Sequence, residues 1–106
     1  MTGTRRPLGV FVLLCALVAA CGNATEGKFG EELYRTACAG CHANDGGGGR
    51  GPAIGTPDSN AATVLTDEQI RGVIRVGPGA MPAWSRLTDA QVDSLVVYLR
   101  QLQGDE

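Results

Sequence analysis

Apolar residues recur at intervals of three and four in three stretches of this chain. That spacing lays one stripe along a helix, which turns about 100° per residue. The first stretch starts near Lys28, where Phe29, Leu33, Tyr34 and Ala37 share a face that runs into a cysteine motif. The second follows Thr66-Asp67-Glu68-Gln69 and carries Ile70, Val73 and Ile74. The third follows Thr88-Asp89-Ala90-Gln91 and carries Val92, Leu95, Val96, Leu99 and Leu102. Both four-residue openings fit a capping box: the threonine accepts an amide of the first turn, and the glutamine reaches back. Gly77-Pro78-Gly79 stops the second helix, and Gly104 stops the third. No run alternates apolar and polar positions as a strand would. The pattern predicts an all-α domain with three main helices.

A fourth apolar run has a different character. Leu8 to Ala20 is broken only by Gly9, stands behind Arg5-Arg6, and ends in Val18-Ala19-Ala20-Cys21. A basic head, a short apolar stretch and small residues before a cut site form an export signal. The run is shorter than the roughly 20 apolar residues needed to span a bilayer. "VAAC" also resembles a bacterial lipobox, which would make Cys21 a lipid-modified first residue of the mature chain. The plainer alternative is an ordinary signal in which Cys21 is incidental. The expected organisation is a signal peptide over residues 1–20, a short tether over 21–27, and one domain over 28–104.

Charge narrows the choice of partners. Removing Arg5 and Arg6 from nine basic residues leaves seven against eleven acidic ones, a net charge of −4 with the histidine neutral. Few and scattered basic residues exclude a nucleic-acid binder. The acidic balance favours a basic docking surface on a protein partner. Glu31-Glu32 belong to a solvated face, since neighbouring helical residues do not face each other. A domain of this size has a thin core, and such domains often lean on a disulfide, a metal or a cofactor.

The candidate support is "CAGCH", residues 38–42, with Cys38, Cys41 and the chain's one histidine, His42. On a helix all three project from one face of a single turn. A structural zinc site needs four ligands, usually as two pairs, and no second pair exists. A thioredoxin-like dithiol accompanies alternating strands and helices and gives the histidine no role. A plain disulfide also leaves the histidine idle. C-x-x-C-H is the attachment sequence of c-type haem: both thiols form thioethers, and the histidine binds iron. The glycine-rich "NDGGGGRGPAIGTPDSN", residues 44–60, lacks the lysine and hydroxyl of a phosphate loop. It is expected to be a flexible wrap around something bulky.

The opposite face of the iron has few candidates. There is no second histidine, and the one methionine besides the initiator is Met81, in "GPGAMPAW". Histidine with methionine is the ligand pair of cytochromes c, and it raises the reduction potential. A packing role for Met81 is the plainer alternative, and Lys28 is a poor rival ligand.

With these residues in place, the chain resembles a small monohaem class I bacterial cytochrome c over nearly all of residues 27–103. The resemblance implies that Gly30 allows close crossing of the first and last helices, with Tyr34 and Tyr98 as aromatic partners. "GPAI", residues 51–54, is similar to the family's Gly-Pro-x-Leu, in which the carbonyl of Pro52 would accept the free N–H of His42. "MPAW" is similar to its Met-Pro-Ala-aromatic segment and implies that Trp84 packs near the haem. Departures are Ile54 for the usual leucine, the Gly46–Gly49 run and the lipobox. The implied function is one-electron transfer outside the cytoplasm, in the periplasm or on the outer face of a membrane, between redox protein partners and without enzymatic activity. It would act as a monomer or as a subunit of a complex. Alternatives are the haem subunit of a larger dehydrogenase or oxidase and, with an open iron position, a haem peroxidase or gas sensor.

Overall fold

The computed structural model describes residues 24–104 and, among them, five helices and no strand. These are α1 (Gly30–Ala37), α2 (Ala39–His42), α3 (Asn60–Thr63), α4 (Asp67–Val76) and α5 (Asp89–Gln103). The three expected helices are α1, α4 and α5. The export signal, the tether up to residue 23 and Cys21 lie outside the described residues.

Both predicted capping boxes form. Thr66 Oγ1 accepts from the Gln69 amide at 3.1 Å, and Gln69 Oε1 accepts from the Thr66 amide at 2.9 Å. Thr88 and Gln91 repeat the exchange at 3.1 and 3.0 Å. Gly77 and Gly104 close the two helices in the left-handed conformation that glycine takes without penalty. The one-turn α3 is capped by Ser59, whose hydroxyl accepts from the Ala62 amide at 3.2 Å.

α1 departs from expectation at both ends. It starts at Gly30, two residues later than the apolar stripe suggests, and it breaks at Cys38 so that α2 is a separate turn. Phe29 precedes the helix and is 51 % exposed, so it drops out of the buried stripe. Gly30 has φ +54°, and a Cβ there would meet nothing within 4 Å. Its role is therefore a backbone angle that suits glycine, not room for a crossing helix. Its amide donates to Ser94 Oγ of α5 at 2.9 Å, which fixes where α1 begins.

α1 and α4 each pack against α5. Leu33 and Tyr34 of α1, Ile70 and Ile74 of α4, and Val92, Leu95, Val96 and Leu99 of α5 form one buried cluster with Leu87. Burying such side chains contributes about 1.5–3 kcal/mol each, before chain entropy is set against it. The rings of Tyr34 and Tyr98 lie 5.3 Å apart and tilted by 54°, the predicted aromatic pair. Leu102 packs at the cluster's edge, and both it and Val73 are half-buried.

The last turns of α5 hold the long connection in place. Arg100 donates to the carbonyls of Ala61 and Leu65, at 2.8 and 2.9 Å, and to Asp67 at 2.8 Å. Gln103 donates to the Ile54 carbonyl at 2.7 Å. These bonds set the position of the loop that returns to His42.

Candidate functional site

Residues 38–42 form a compact turn. The amides of Cys41 and His42 both bond the Cys38 carbonyl, at 3.2 and 3.0 Å. Cys38 is half-buried, Cys41 is exposed and His42 is buried. Cys38 and Cys41 are both free thiols, open to thioether attachment. Burial pushes the Cys38 thiol up to about 11, which keeps it protonated at neutral pH and a poor redox nucleophile. Among the described residues, no three His, Cys, Asp or Glu side chains converge as a metal cage would require.

The imidazole is held by backbone. His42 Nδ1 lies 2.8 Å from the Pro52 carbonyl oxygen, as the Gly-Pro resemblance implies. A carbonyl only accepts, so Nδ1 carries the proton and Nε2 keeps its lone pair for a ligand bond. Gly51 lies against the same ring: a Cβ there would stand 2.7 Å from Cε1 and 2.9 Å from Nδ1. Only glycine fits, a requirement invisible in the sequence beyond the motif itself.

The glycine-rich loop is closely bonded rather than a loose wrap. Gly51 donates to the Cys41 carbonyl at 2.9 Å and Gly48 to the His42 carbonyl at 3.0 Å. The amides of Ile54 and Gly55 both bond the Gly46 carbonyl at 2.9 Å. Gly46 and Gly55 touch so closely that a Cβ on Gly46 would stand 2.5 Å from the Gly55 Cα.

The chain leaves His42 through Ala43, with φ 68° and ψ 159°. It is the one described non-glycine residue at positive φ, and such a conformation costs about 1–3 kcal/mol. The Ala43 carbonyl accepts twice, from the Gly46 amide at 3.1 Å and from the Tyr34 hydroxyl at 2.7 Å. Burial, with smaller contributions from Cys38, Tyr98 and Asp45, pushes the Tyr34 phenol up to about 12, so it remains a donor. Neither the strained alanine nor the tyrosine hydroxyl carries a signal in the hydrophobic pattern.

Met81 and Trp84 lie between α4 and α5 and are half-buried. The Met81 amide bonds the Pro78 carbonyl at 3.1 Å, and the Trp84 amide bonds Ile74 at 2.9 Å, pinning the segment to the end of α4. Gly77 starts the segment at φ +64°, and a Cβ there would stand 2.6 Å from the Met81 carbonyl oxygen. Trp84 packs on the edge of the core with Ile54, Leu65 and Leu102.

These residues fit a covalently held haem. They offer two unpaired thiols on one turn and an adjacent imidazole with one nitrogen already committed, while Ile54, Leu65 and Trp84 are partly buried apolar residues packed against the core. Residues 25–99 match the family model described as cytochrome c oxidase, cbb3-type, subunit III. The chain belongs to this family of c-type cytochromes. Its cofactor is covalently bound haem c, and it is a haem-bearing electron carrier of the all-α class I fold.

The cytochrome is 36 % identical over 78 residues to cytochrome c6 of Bryopsis maxima, covering 68 % of this chain and 86 % of the relative. It is 34 % identical over 74 residues to cytochrome c6 of Leptolyngbya boryana, covering 66 % and 85 %. It is also 32 % identical over 89 residues to the cbb3-type cytochrome c oxidase subunit CcoP of Azospirillum brasilense. That match takes in 77 % of this chain but 30 % of the longer subunit.

Proposed function

We propose that this cytochrome is a one-electron carrier working outside the cytoplasm, with haem tethered through Cys38 and Cys41 and bound axially by His42 and Met81. The bond from His42 Nδ1 to the Pro52 carbonyl is the observation that carries this reading. It fixes the tautomer, leaves the Nε2 lone pair free as a ligand and raises its basicity. The haem iron supplies the exchange of one electron between ferrous and ferric states. The chain's part is to keep both ligand-bearing segments still while that happens. Residues 43–55 do so through their backbone bonds to Cys41 and His42, and residues 77–84 through their bond to Ile74. Trp84, Ile54 and Leu65 supply the apolar wall that keeps water from the buried side.

The test is an absorption spectrum of the purified protein in both oxidation states, with Met81→Ala beside it. A covalent haemochrome with a weak far-red sulfur-to-iron band, lost in Met81→Ala, is expected. Covalent haem lacking that band in the wild type would overturn Met81 ligation and favour a peroxidase or gas sensor.

Likeness to a stretch of CcoP favours a second reading, that of a haem-bearing subunit in a larger oxidase or dehydrogenase. Co-purification with a large catalytic chain from native membranes supports it, whereas recovery as a free monomer supports the carrier. We further propose that Cys21 bears a lipid and holds the domain to the outer face of a membrane. Intact mass of the native protein, and release of Cys21→Ser from membranes, test this.

A further inference from the structure

The Tyr34 hydroxyl is a buried donor that neither haem attachment nor electron transfer, as described above, requires. Its acceptor is the carbonyl of Ala43, the residue that follows His42. Ala43 is also the strained point of the described backbone. From there the chain runs through Gly46 and Gly48, whose amides bond the Ala43 and His42 carbonyls, and returns with Gly51 and Pro52 against the imidazole. The direction in which Ala43 sends the chain therefore decides where the Pro52 carbonyl arrives. Strain persists only where its surroundings enforce it. Here two donors grip one carbonyl, and one of them comes from a different helix.

We infer that Tyr34 is a positioning residue for His42: its hydroxyl holds Ala43 in the strained conformation, and the strained turn sets the bond between His42 Nδ1 and the Pro52 carbonyl. Because α1 lies against α5, this clamp connects the helical core to the ligand's hydrogen bond. The inference rests on His42 being the axial ligand. A tighter Nδ1–H bond makes imidazole a more basic ligand and favours ferric iron, so loosening the clamp raises the midpoint potential.

The test uses haem-loaded protein in the reduced state and follows proton exchange at His42 Nδ1 by NMR, together with the midpoint potential. Tyr34→Phe keeps the ring and removes only the hydroxyl. It is expected to speed Nδ1–H exchange about tenfold, the effect of losing one hydrogen bond, and to shift the potential upward. Ala43→Gly accepts the same backbone angles without strain, and so should make the clamp unnecessary. In that background Tyr34→Phe should change exchange by no more than about twofold, the usual scatter between independent sites. An effect of undiminished size there, or none in the single variant, would overturn the clamp. Should Tyr34→Phe fail to fold, Ala43→Val disturbs the turn directly; unchanged exchange in that variant overturns it equally. Ring protons of His42 displaced by the porphyrin current identify the axial ligand in the wild type. Their absence defeats the axial assignment itself; their presence with unaltered exchange in the variants defeats only the clamp.

Discussion

The helical half of this domain and its loop half are built by different means. α1, α4 and α5 are specified by side chains: apolar stripes at helical spacing, two capping boxes, and a shared cluster around Leu33, Leu95 and Val96. Residues 43–55 are specified by backbone: amides bonded to carbonyls, glycines in contact with each other and with His42, and one strained alanine. A helical core tolerates exchange among apolar residues of similar volume. Backbone packed on backbone leaves no such freedom, because the smallest added side chain collides. The part that holds the His42 ring is therefore the part least able to vary.

Deleting volume from the helical half should have the largest effect. Leu95→Ala is expected to cost about 2–5 kcal/mol in denaturant unfolding of the holoprotein, while the native-state spectrum stays that of the wild type. Adding volume to the loop half should invert the pattern. Gly51→Ala is expected to cost less, about 1–3 kcal/mol, yet to alter the haem spectrum, because the new Cβ meets the His42 ring. If Gly51→Ala kept both spectrum and potential, the division between the two halves would collapse. Below these lies Thr88→Ala, which removes the acceptor of a capping box for about 1 kcal/mol, read as a lower unfolding midpoint at unchanged potential. The smallest change belongs to the exposed pair Glu31–Arg35. Glu31→Gln should shift stability by about 0.5 kcal/mol or less, and added salt should erase the difference.

The same division explains what could be read in advance. Both capping boxes, the stops at Gly77 and Gly104 and the stripe of α5 follow from periodicity and local chemistry, and all are found as expected. The CAGCH turn declares itself by residue type, and the bond from His42 to Pro52 follows from the resemblance carried by Gly51-Pro52. The glycine run reads as loose because composition is silent about contacts between backbone segments. Gly46 meeting Gly55, and Ala43 gripped by Tyr34, are approaches between segments that no spacing rule encodes. Gly30 shows the limit in another way: the residue type is the one foreseen, but it answers to its dihedral angle and not to a neighbour. Phe29 lies outside the core because α1 begins one residue after it.

The joining of α1 to α5 also governs the order of events during biosynthesis. Gly30 and Ser94, which bond across that joint, are 64 residues apart in sequence, so the core is closed by a helix made well after α1. Contacts this distant require much chain entropy to be lost before any burial compensates, which slows folding. Until α5 arrives, Arg100 and Gln103 cannot restrain the long connection, and Tyr34 lacks the partner that buries it. The CAGCH segment thus precedes α5 in the chain and is enclosed only when that helix docks. Until α5 docks, Cys38 lacks part of the packing that half-buries it.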